Sequence, residues 1–222
     1  MLKKLKTFAK GLISLALLLE CQAKDSKDVA KQKVELADKS AFYLGVGYQL
    51  SAINTSYSTK SITDSYYMVG NGFGVVLGGK FLTQRKNLEH VGLRYGIFYD
   101  QTFSSYHSYI STYGMELSGL WDFTNTPKHF FGLEVGIGIA GASYLPGNAL
   151  HGIIAKNLGQ QNSLFQLLVN VGARFGLGHN EIALGLKFPT IANTKNQTIN
   201  GLSATTLWHR LPVMYINYIY NF

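Results

Sequence analysis

From residue 41 to the C-terminus, apolar side chains recur at every second position, in segments separated by polar stretches. In the first segment the even positions from Phe42 to Leu50 are apolar, and Gly45, Gly47 and Gln49 lie between them. A period of two is that of a β-strand with one apolar face, because successive side chains point to opposite sides. The same pattern occurs in eight segments, at 42–51, 73–81, 91–100, 113–123, 131–139, 165–177, 182–188 and 212–222.

The closing segment indicates what solvent the apolar faces meet. Its apolar face continues to the last residue of the chain and consists of Phe222, Tyr220, Tyr218, Ile216 and Met214. Chain ends of soluble domains usually fray, whereas lipid accepts a strand that is apolar to its end. The pattern therefore predicts an all-β fold, an eight-stranded antiparallel up-and-down transmembrane β-barrel. The ending also resembles the terminal-Phe signature that delivers such proteins to the barrel-assembly machinery, so these five residues are the predicted assembly signal.

The connections between the segments alternate in length. Short polar turns are predicted at 83–89, 124–129 and 178–180, and long loops at 54–69, 101–111, 143–163 and 189–209. Short periplasmic turns and long external loops are typical of these barrels, so both chain ends are expected on the periplasmic side. Strand parity then predicts a girdle of aromatic side chains near the periplasmic interface of the membrane. Tyr99, Tyr113 and Tyr144 are expected in a second girdle at the outer interface.

The N-terminus has the pattern of a targeting segment. Four lysines precede the apolar run at 11–19, which is too short to span a bilayer, and small residues stand before a cleavage point after Ala23. The predicted organisation is a signal peptide at 1–23, a charged, solvated periplasmic tail at 24–40 and the barrel at 41–222. Lipidation at Cys21 is the alternative processing, although Glu20 does not suit it. Cleavage after Ala23 would leave no cysteine for a disulfide or a metal site.

The chain carries a net charge of +8, and part of it comes from the predicted signal peptide. Four of the 20 basic residues and one of the 12 acidic residues lie in it, so 16 and 11 remain, a net of +5. An exported chain does not meet nucleic acid. The basic surface therefore favours outer-membrane lipid and anionic lipopolysaccharide as partners.

Several charged residues fall on the face opposite the apolar one and are predicted to enter the lumen. They are Lys80, Arg94, Asp100, Glu116, Asp122, Glu134, Arg174 and Lys187. An eight-stranded barrel is just wide enough for side chains to fill, and buried charges must be paired. A plug of salt bridges is expected, with Arg94–Glu116 and Glu134–Arg174 as the pairs. A pore lined by fixed charges is the alternative.

The first two long loops are rich in Tyr and Ser, a composition that suits recognition. Tyr57, Tyr66, Tyr67, Tyr106, His107 and Tyr109 are the candidate ligand contacts. The same composition also fits polar loops whose tyrosines lie in the lipid headgroup zone, and composition alone does not separate these interpretations.

Two features could suggest an enzyme. The string Gly136-Ile137-Gly138-Ile139-Ala140-Gly141 matches a dinucleotide-binding motif, but it lies in a strand and lacks the acidic residue about 20 positions on. His107, His151 and His209 occur in long loops without the spacing of a catalytic triad, so a lipid A-modifying enzyme is only the second alternative. The sequence predicts no cofactor and no metal site.

Four stretches resemble the Helicobacter outer-membrane protein family (the Hop and Hor groups). They begin at Phe42, Val91, Leu184 and Tyr215, and their sequences are FYLGVGYQ, VGLRYG, LGLKFPTI and YINYIYNF. The resemblance implies a surface barrel, as some members are adhesins and some porins. The overall prediction is a monomeric surface protein with a plugged lumen, acting in adhesion to a host glycan or protein or in envelope structure. A small passive porin is the first alternative.

Overall fold

Ten β-strands make up the described part of this computed structural model, which covers residues 36–59, 63–83, 90–104, 109–145, 163–199 and 202–222. No helix in these ranges is long and apolar enough to cross a membrane. In chain order the strands are β1 (Ala41–Thr59), β2 (Thr63–Leu82), β3 (Val91–Ser104), β4 (Tyr109–Asn125), β5 (His129–Leu145), β6 (Ser163–Leu177), β7 (Asn180–Pro189), β8 (Asn193–Ile199), β9 (Leu202–Arg210) and β10 (Val213–Asn221).

Eight of these strands close a barrel. β1 to β7 pair antiparallel in chain order, β10 pairs with β7, and β10 also pairs with β1. At the closing seam Gly47 lies opposite Asn217, and Tyr43 lies opposite Asn221. The eight-stranded antiparallel up-and-down barrel is therefore confirmed. The barrel end that holds Leu36 and Phe222 is called the periplasmic end below, following the sequence-based orientation, and the opposite end the external end.

The barrel wall has its apolar face outside. Along β1, Phe42 is 71% exposed while Tyr43 beside it is fully buried. The other barrel strands alternate in the same way, and their inner faces carry charged and amide side chains. A soluble protein buries its apolar residues, so this inverted arrangement is that of a barrel in lipid.

Aromatic residues ring the outside of the periplasmic end. Trp121 and Phe123 have ring centroids 5.7 Å apart, and Phe123 lies 5.8 Å from Phe131. The pairing of β4 with β5 shifts between Asp122 and Thr124, which marks a β-bulge at Phe123. At the external end, the prediction of an outer aromatic girdle is correct for Tyr99 and Tyr113, whose side chains face outward. It is wrong for Tyr144, because β5 keeps its alternation to the end and this side chain is buried inside.

The strands are longer than the alternation of apolar residues suggests. β1 and β2 have 19 and 20 residues, whereas a tilted membrane strand needs about 9 to 11. The loop predicted at 54–69 is therefore wrong for most of its length, since β1 continues to Thr59 and β2 starts at Thr63. A strand of this length extends about 60 Å, so the hairpin rises well beyond an apolar band about 25 Å tall.

The loop predicted at 189–209 is also wrong in part, because it contains the hairpin of β8 and β9. β9 pairs with β1 from Ile53 to Thr59, directly beyond the part of β1 that pairs with β10. The two strands follow one another along the same edge of β1 and are interrupted at Leu211 and Pro212. Proline has no N–H to donate, and the backbone N–H of Leu211 bonds the Ala52 carbonyl at 2.8 Å.

Candidate functional site in the barrel lumen

The charged residues predicted for the lumen all lie on the inner face of their strands. Glu116 is half-buried, and the others are buried: Lys80, Arg94, Asp100, Asp122, Glu134, Arg174 and Lys187. Their parity along the strands puts them inside, where the neighbouring strands supply glycines and small residues that leave room for long side chains. The contacts among them fall into separate groups along the barrel axis.

The group nearest the periplasmic end is centred on Glu181. Its carboxylate accepts hydrogen bonds from Lys80 Nζ at 3.3 Å and Arg174 Nε at 3.2 Å, and it pairs closely with Arg94. The amide of Asn221 donates to the same carboxylate at 3.3 Å. Sequence reasoning missed Glu181 because the seventh apolar segment begins one residue later, at Ile182. Its parity with Ala183 and Lys187 would have placed it in the lumen.

Asp38 is the second missed member of this group. The sequence assigns it to a solvated tail, but its side chain is buried, pairs with Lys80 and accepts from Arg174 Nη2 at 2.5 Å. Its backbone N–H donates to the Asn125 side chain at 3.0 Å, and Asn125 Nδ2 donates back to the Asp38 carbonyl at 3.0 Å. Ala37 N–H bonds the Thr126 carbonyl at 2.8 Å. The end of the tail is thus fixed to the β4–β5 turn, with its carboxylate inside the barrel.

Both salt bridges predicted from the sequence are wrong. Arg94 Nη1 pairs with Glu134 at 2.8 Å rather than with Glu116, and Arg174 pairs with Glu181, Asp38 and Asp122 rather than with Glu134. The strand register explains this, since Ser118 lies opposite Arg94 and Gly132 lies opposite Arg174. Arg94 on β3 reaches carboxylates on β5 and β7, and Arg174 on β6 reaches Asp122 on β4, so these contacts skip the neighbouring strand. The pair of Arg174 with Glu181 joins the adjacent strands β6 and β7.

Aromatic side chains complete the inner packing around these charges. The rings of Phe130 and Tyr43 lie beneath guanidinium groups, with Arg174 5.0 Å from the Phe130 centroid and Arg94 5.1 Å from that of Tyr43. Tyr215 donates its hydroxyl to Glu134 at 2.8 Å. Cation–π contacts and hydrogen bonds of this kind partly replace the water that the buried ions have lost.

A second group lies further toward the external end. Lys187 Nζ donates to Asp100 at 3.0 Å and lies 4.3 Å from the centroid of the Phe98 ring. Glu116 accepts from Asn170 at 3.2 Å. Between this group and the Arg94–Glu134 pair lies a cavity of about 10 Å³, the room that one water molecule needs.

Beyond these ion pairs, toward the external end, the side chains that line the lumen are first polar and then apolar. Arg210 donates to Thr112 at 2.5 Å and to Ser51 at 3.5 Å. Above it, the inward side chains of Ile53, Met68, Ile110, Ala142 and Tyr144 form an apolar cluster. The lumen thus runs from a dense ionic zone through a polar belt to an apolar mouth.

The five residues of the predicted assembly signal lie on the lipid-facing side of the chain's last strand. Their side chains, Met214, Ile216, Tyr218, Tyr220 and Phe222, are all exposed. The chain end is nevertheless fixed, because Phe222 N–H bonds the Phe42 carbonyl at 2.9 Å and Asn221 N–H bonds the His179 carbonyl at 2.8 Å. Gly178, with a φ of 58°, makes the tight β6–β7 turn that presents His179 to this end.

The candidate ligand contacts lie at the external strand ends. Tyr67 and Tyr109 are exposed there, and Tyr67 has 63% of its surface free. Tyr57 and Tyr66 belong to β1 and β2, while Tyr106 and His107 lie outside the described residues. Among the residues that the structure describes, no group of His, Cys, Asp or Glu is arranged to hold a metal ion.

A closed β-barrel with lipid outside and ions inside defines the class of an integral outer-membrane protein. The family model described as "Helicobacter outer membrane protein" matches residues 74–222. The chain belongs to this family, which confirms the resemblance seen in its sequence and assigns the protein to the outer membrane. A search of the curated proteins found no match.

Among solved structures, the fold is similar to that of the outer membrane protein OprG from Pseudomonas aeruginosa. The identity is 12%, the TM-score is 0.50, and the match covers 85% of this chain and 99% of that one. Neisserial surface protein A matches with a TM-score of 0.38 and 12% identity, covering 83% of this chain and 100% of that one. The attachment invasion locus protein Ail of Yersinia pestis matches with a TM-score of 0.31 and 9% identity, covering 78% and 97%. At such identities the likeness concerns the fold alone.

Proposed function

We propose that this protein is an outer-membrane barrel with a plugged lumen, which acts at the cell surface through its external strand ends. The plug would leave the protein without a transport role. Contact with surrounding lipopolysaccharide and with a host glycan or protein would then be its main activity, and the protein would work as a monomer without enzymatic chemistry.

The observation that carries the plug is the ionic group around Glu181. Three cations, Lys80, Arg94 and Arg174, meet in the lumen with Asp38 and Glu181, and all five side chains are at most 3% exposed. Ions this deeply buried are held by their partners and not by water, so a solute would have to break several pairs to pass.

Liposome swelling tests the plug against the porin alternative. Proteoliposomes that contain the purified protein should swell in an isotonic solution of a pentose no faster than protein-free liposomes. A general porin reconstituted in the same lipid serves as the positive control. Swelling that rises with the amount of folded protein would contradict the plug.

The surface role is supported by the length of the external strand ends. β1, β2 and β9 continue as a paired sheet beyond the part of β1 that pairs with β10. Tyr67, Val69, Phe103 and Tyr109 point outward from this region and are exposed. Rigid aromatic side chains next to serines and threonines bind with little loss of conformational entropy.

Cell binding tests the surface role. Cells that display the protein are applied to immobilised host glycans and matrix proteins, and compared with cells that carry Tyr67→Ser/Tyr109→Ser or Tyr67→Phe/Tyr109→Phe. Loss of the two rings should lower binding at least fivefold, while the phenylalanine pair keeps most of it. Equal binding by all strains, including one without the protein, would overturn the surface role. An altered lipid A mass spectrum on expression would favour an enzyme instead.

The route to the membrane is part of the proposal. Signal-peptide cleavage after Ala23 would release a chain that begins at Lys24, and the exposed face of β10 would be read by the barrel-assembly machinery. Mass spectrometry of the purified protein distinguishes this N-terminus from a lipidated Cys21. A chain that carries diacylglycerol would refute the cleavage site.

A further inference from the structure

A cavity at the external end of the lumen has the composition of a ligand site. It measures about 20 Å³, or about 340 Å³ when all non-atom space out to the open solvent is counted. One side is polar and the other is apolar, and six of its residues are Ile53, Ile110, Tyr144, Leu164, Gln166 and Arg210. The ion pairs around Lys187 and Glu181 lie on its periplasmic side, so a ligand would have to enter it from the external end.

Arg210 is the cation of this cavity and differs from the other lumen cations. Lys80, Arg94, Arg174 and Lys187 each pair with at least one carboxylate. Arg210 is only 8% exposed, and it donates to the hydroxyl groups of Thr112 and Ser51. In the described part of the chain, no carboxylate lies within salt-bridge distance of its guanidinium. A buried guanidinium without an anion is costly, and an incoming anion would remove that cost.

Gln166 gives a second, independent indication. Its side chain lines the same cavity and is 2% exposed, yet its Oε1 has no hydrogen-bond partner in the described structure. Unsatisfied buried amides are rare in native proteins, because each one costs free energy. A ligand or water with a hydroxyl or N–H group would satisfy this oxygen.

We propose that this cavity binds a small organic carboxylate from the external side. The carboxylate would pair with Arg210, a hydroxyl or N–H on the ligand would donate to Gln166, and an apolar body would lie against Ile53, Tyr144 and Leu164. A guanidinium presents several N–H donors in a planar array that matches a carboxylate. The apolar wall favours such a ligand over a simple inorganic anion, because an inorganic anion has no apolar surface to bury against it.

The proposal goes beyond loop-mediated surface contact, since the site lies within the barrel mouth. Saturation-transfer NMR on the full-length protein in non-ionic detergent tests it with 4-hydroxybenzoate as the probe. We expect saturable binding of this probe, and at least tenfold weaker binding of its neutral analogue 4-hydroxybenzyl alcohol. Acetate, which lacks the apolar body, should compete poorly.

Variants at Arg210 test the charged half of the site, and a variant at Ala142 tests the apolar half. Arg210→Gln should weaken 4-hydroxybenzoate binding at least tenfold, and Arg210→Lys should restore part of it. Ala142→Leu keeps Arg210 but fills the cavity, so it should also abolish binding. Lys128→Gln removes a cation from an exposed periplasmic turn and is the matched control, with unchanged binding expected.

Clear outcomes would overturn the proposal. They are an absence of binding at millimolar probe with folded wild-type protein, equal binding of the neutral analogue, or unchanged binding in the Ala142→Leu variant. If Arg210→Gln does not fold, the Ala142→Leu result decides. The Tyr67→Ser/Tyr109→Ser protein should bind the probe normally, so failure of the surface role and failure of this site are distinguishable.

Discussion

Replacement of Glu181 by glutamine removes the negative charge that three lumen cations share. The glutamine would keep the shape of the side chain and could still accept a hydrogen bond from Lys80 or Arg174. It could not pair with them as an anion, and each cation would keep only its other carboxylate partners, Asp38, Asp122 or Glu134. Removal of one partner of a buried ion pair costs about 3 to 5 kcal/mol, because the other partner stays buried without compensation. Glu181→Gln should therefore be among the most destabilising conservative changes in the barrel.

Urea unfolding in detergent micelles, followed by the heat-modifiable shift in gel mobility, measures this cost. With a slope of about 2 kcal/mol per M, the midpoint should fall by roughly 1.5 to 2.5 M. Lys128→Gln also removes one charge, but from an exposed turn, and should change stability by less than about 0.5 kcal/mol.

A double-mutant cycle identifies the cause. Lys80→Met removes one of the cations that contact Glu181, so Lys80→Met/Glu181→Gln removes both members of one ion pair and keeps the net charge of the wild type. The double variant should lose less stability than the two single variants together, by about 1 to 3 kcal/mol. A cost below about 1 kcal/mol for Glu181→Gln, or strict additivity in the cycle, would refute the reasoning.

Three further variants test other parts of the structure. Asp38→Asn should lower stability by about 3 kcal/mol in the same urea assay and speed tryptic cleavage after Lys39, because the tail end loses its buried ion pairs. Gly176→Val should cost about 1 to 3 kcal/mol, since a Cβ there would fall on the Phe130 ring, and Phe130→Leu should rescue it. Deletion of Phe222 should lower the amount of protein in the outer membrane, while the purified variant still folds in detergent with a loss of about 1 kcal/mol for one hydrogen bond.

The barrel itself could be predicted from the chain, because lipid imposes a strict rule on each strand. Every second residue of β1 or β5 must be apolar, and this period is visible without any knowledge of neighbours. The same rule identified the inward charges. It does not apply above the membrane, where the outer face of a strand no longer meets lipid, so the outer parts of β1 and β2 and the hairpin of β8 and β9 have the sequence pattern of loops.

The partners of the lumen charges could not be predicted from strand order. The sheared register of a barrel places residues of neighbouring strands at different heights, and long side chains cross the lumen. Arg94 reaches Glu181, 87 positions away in the chain, while Glu116 on the adjacent strand bonds Asn170. Asp38 precedes the first strand in a charged stretch, so no periodicity could show that it enters the barrel.

Single-channel recording in planar bilayers tests the plugged lumen most directly. Purified protein, folded as judged by its gel shift, is inserted into bilayers in concentrated KCl, with a known porin as the positive control. The ionic zone around Glu181 predicts no steady conductance steps from the wild-type protein across moderate voltages. Reproducible, long-lived openings whose number follows the number of inserted monomers would contradict the plug and identify the protein as a pore.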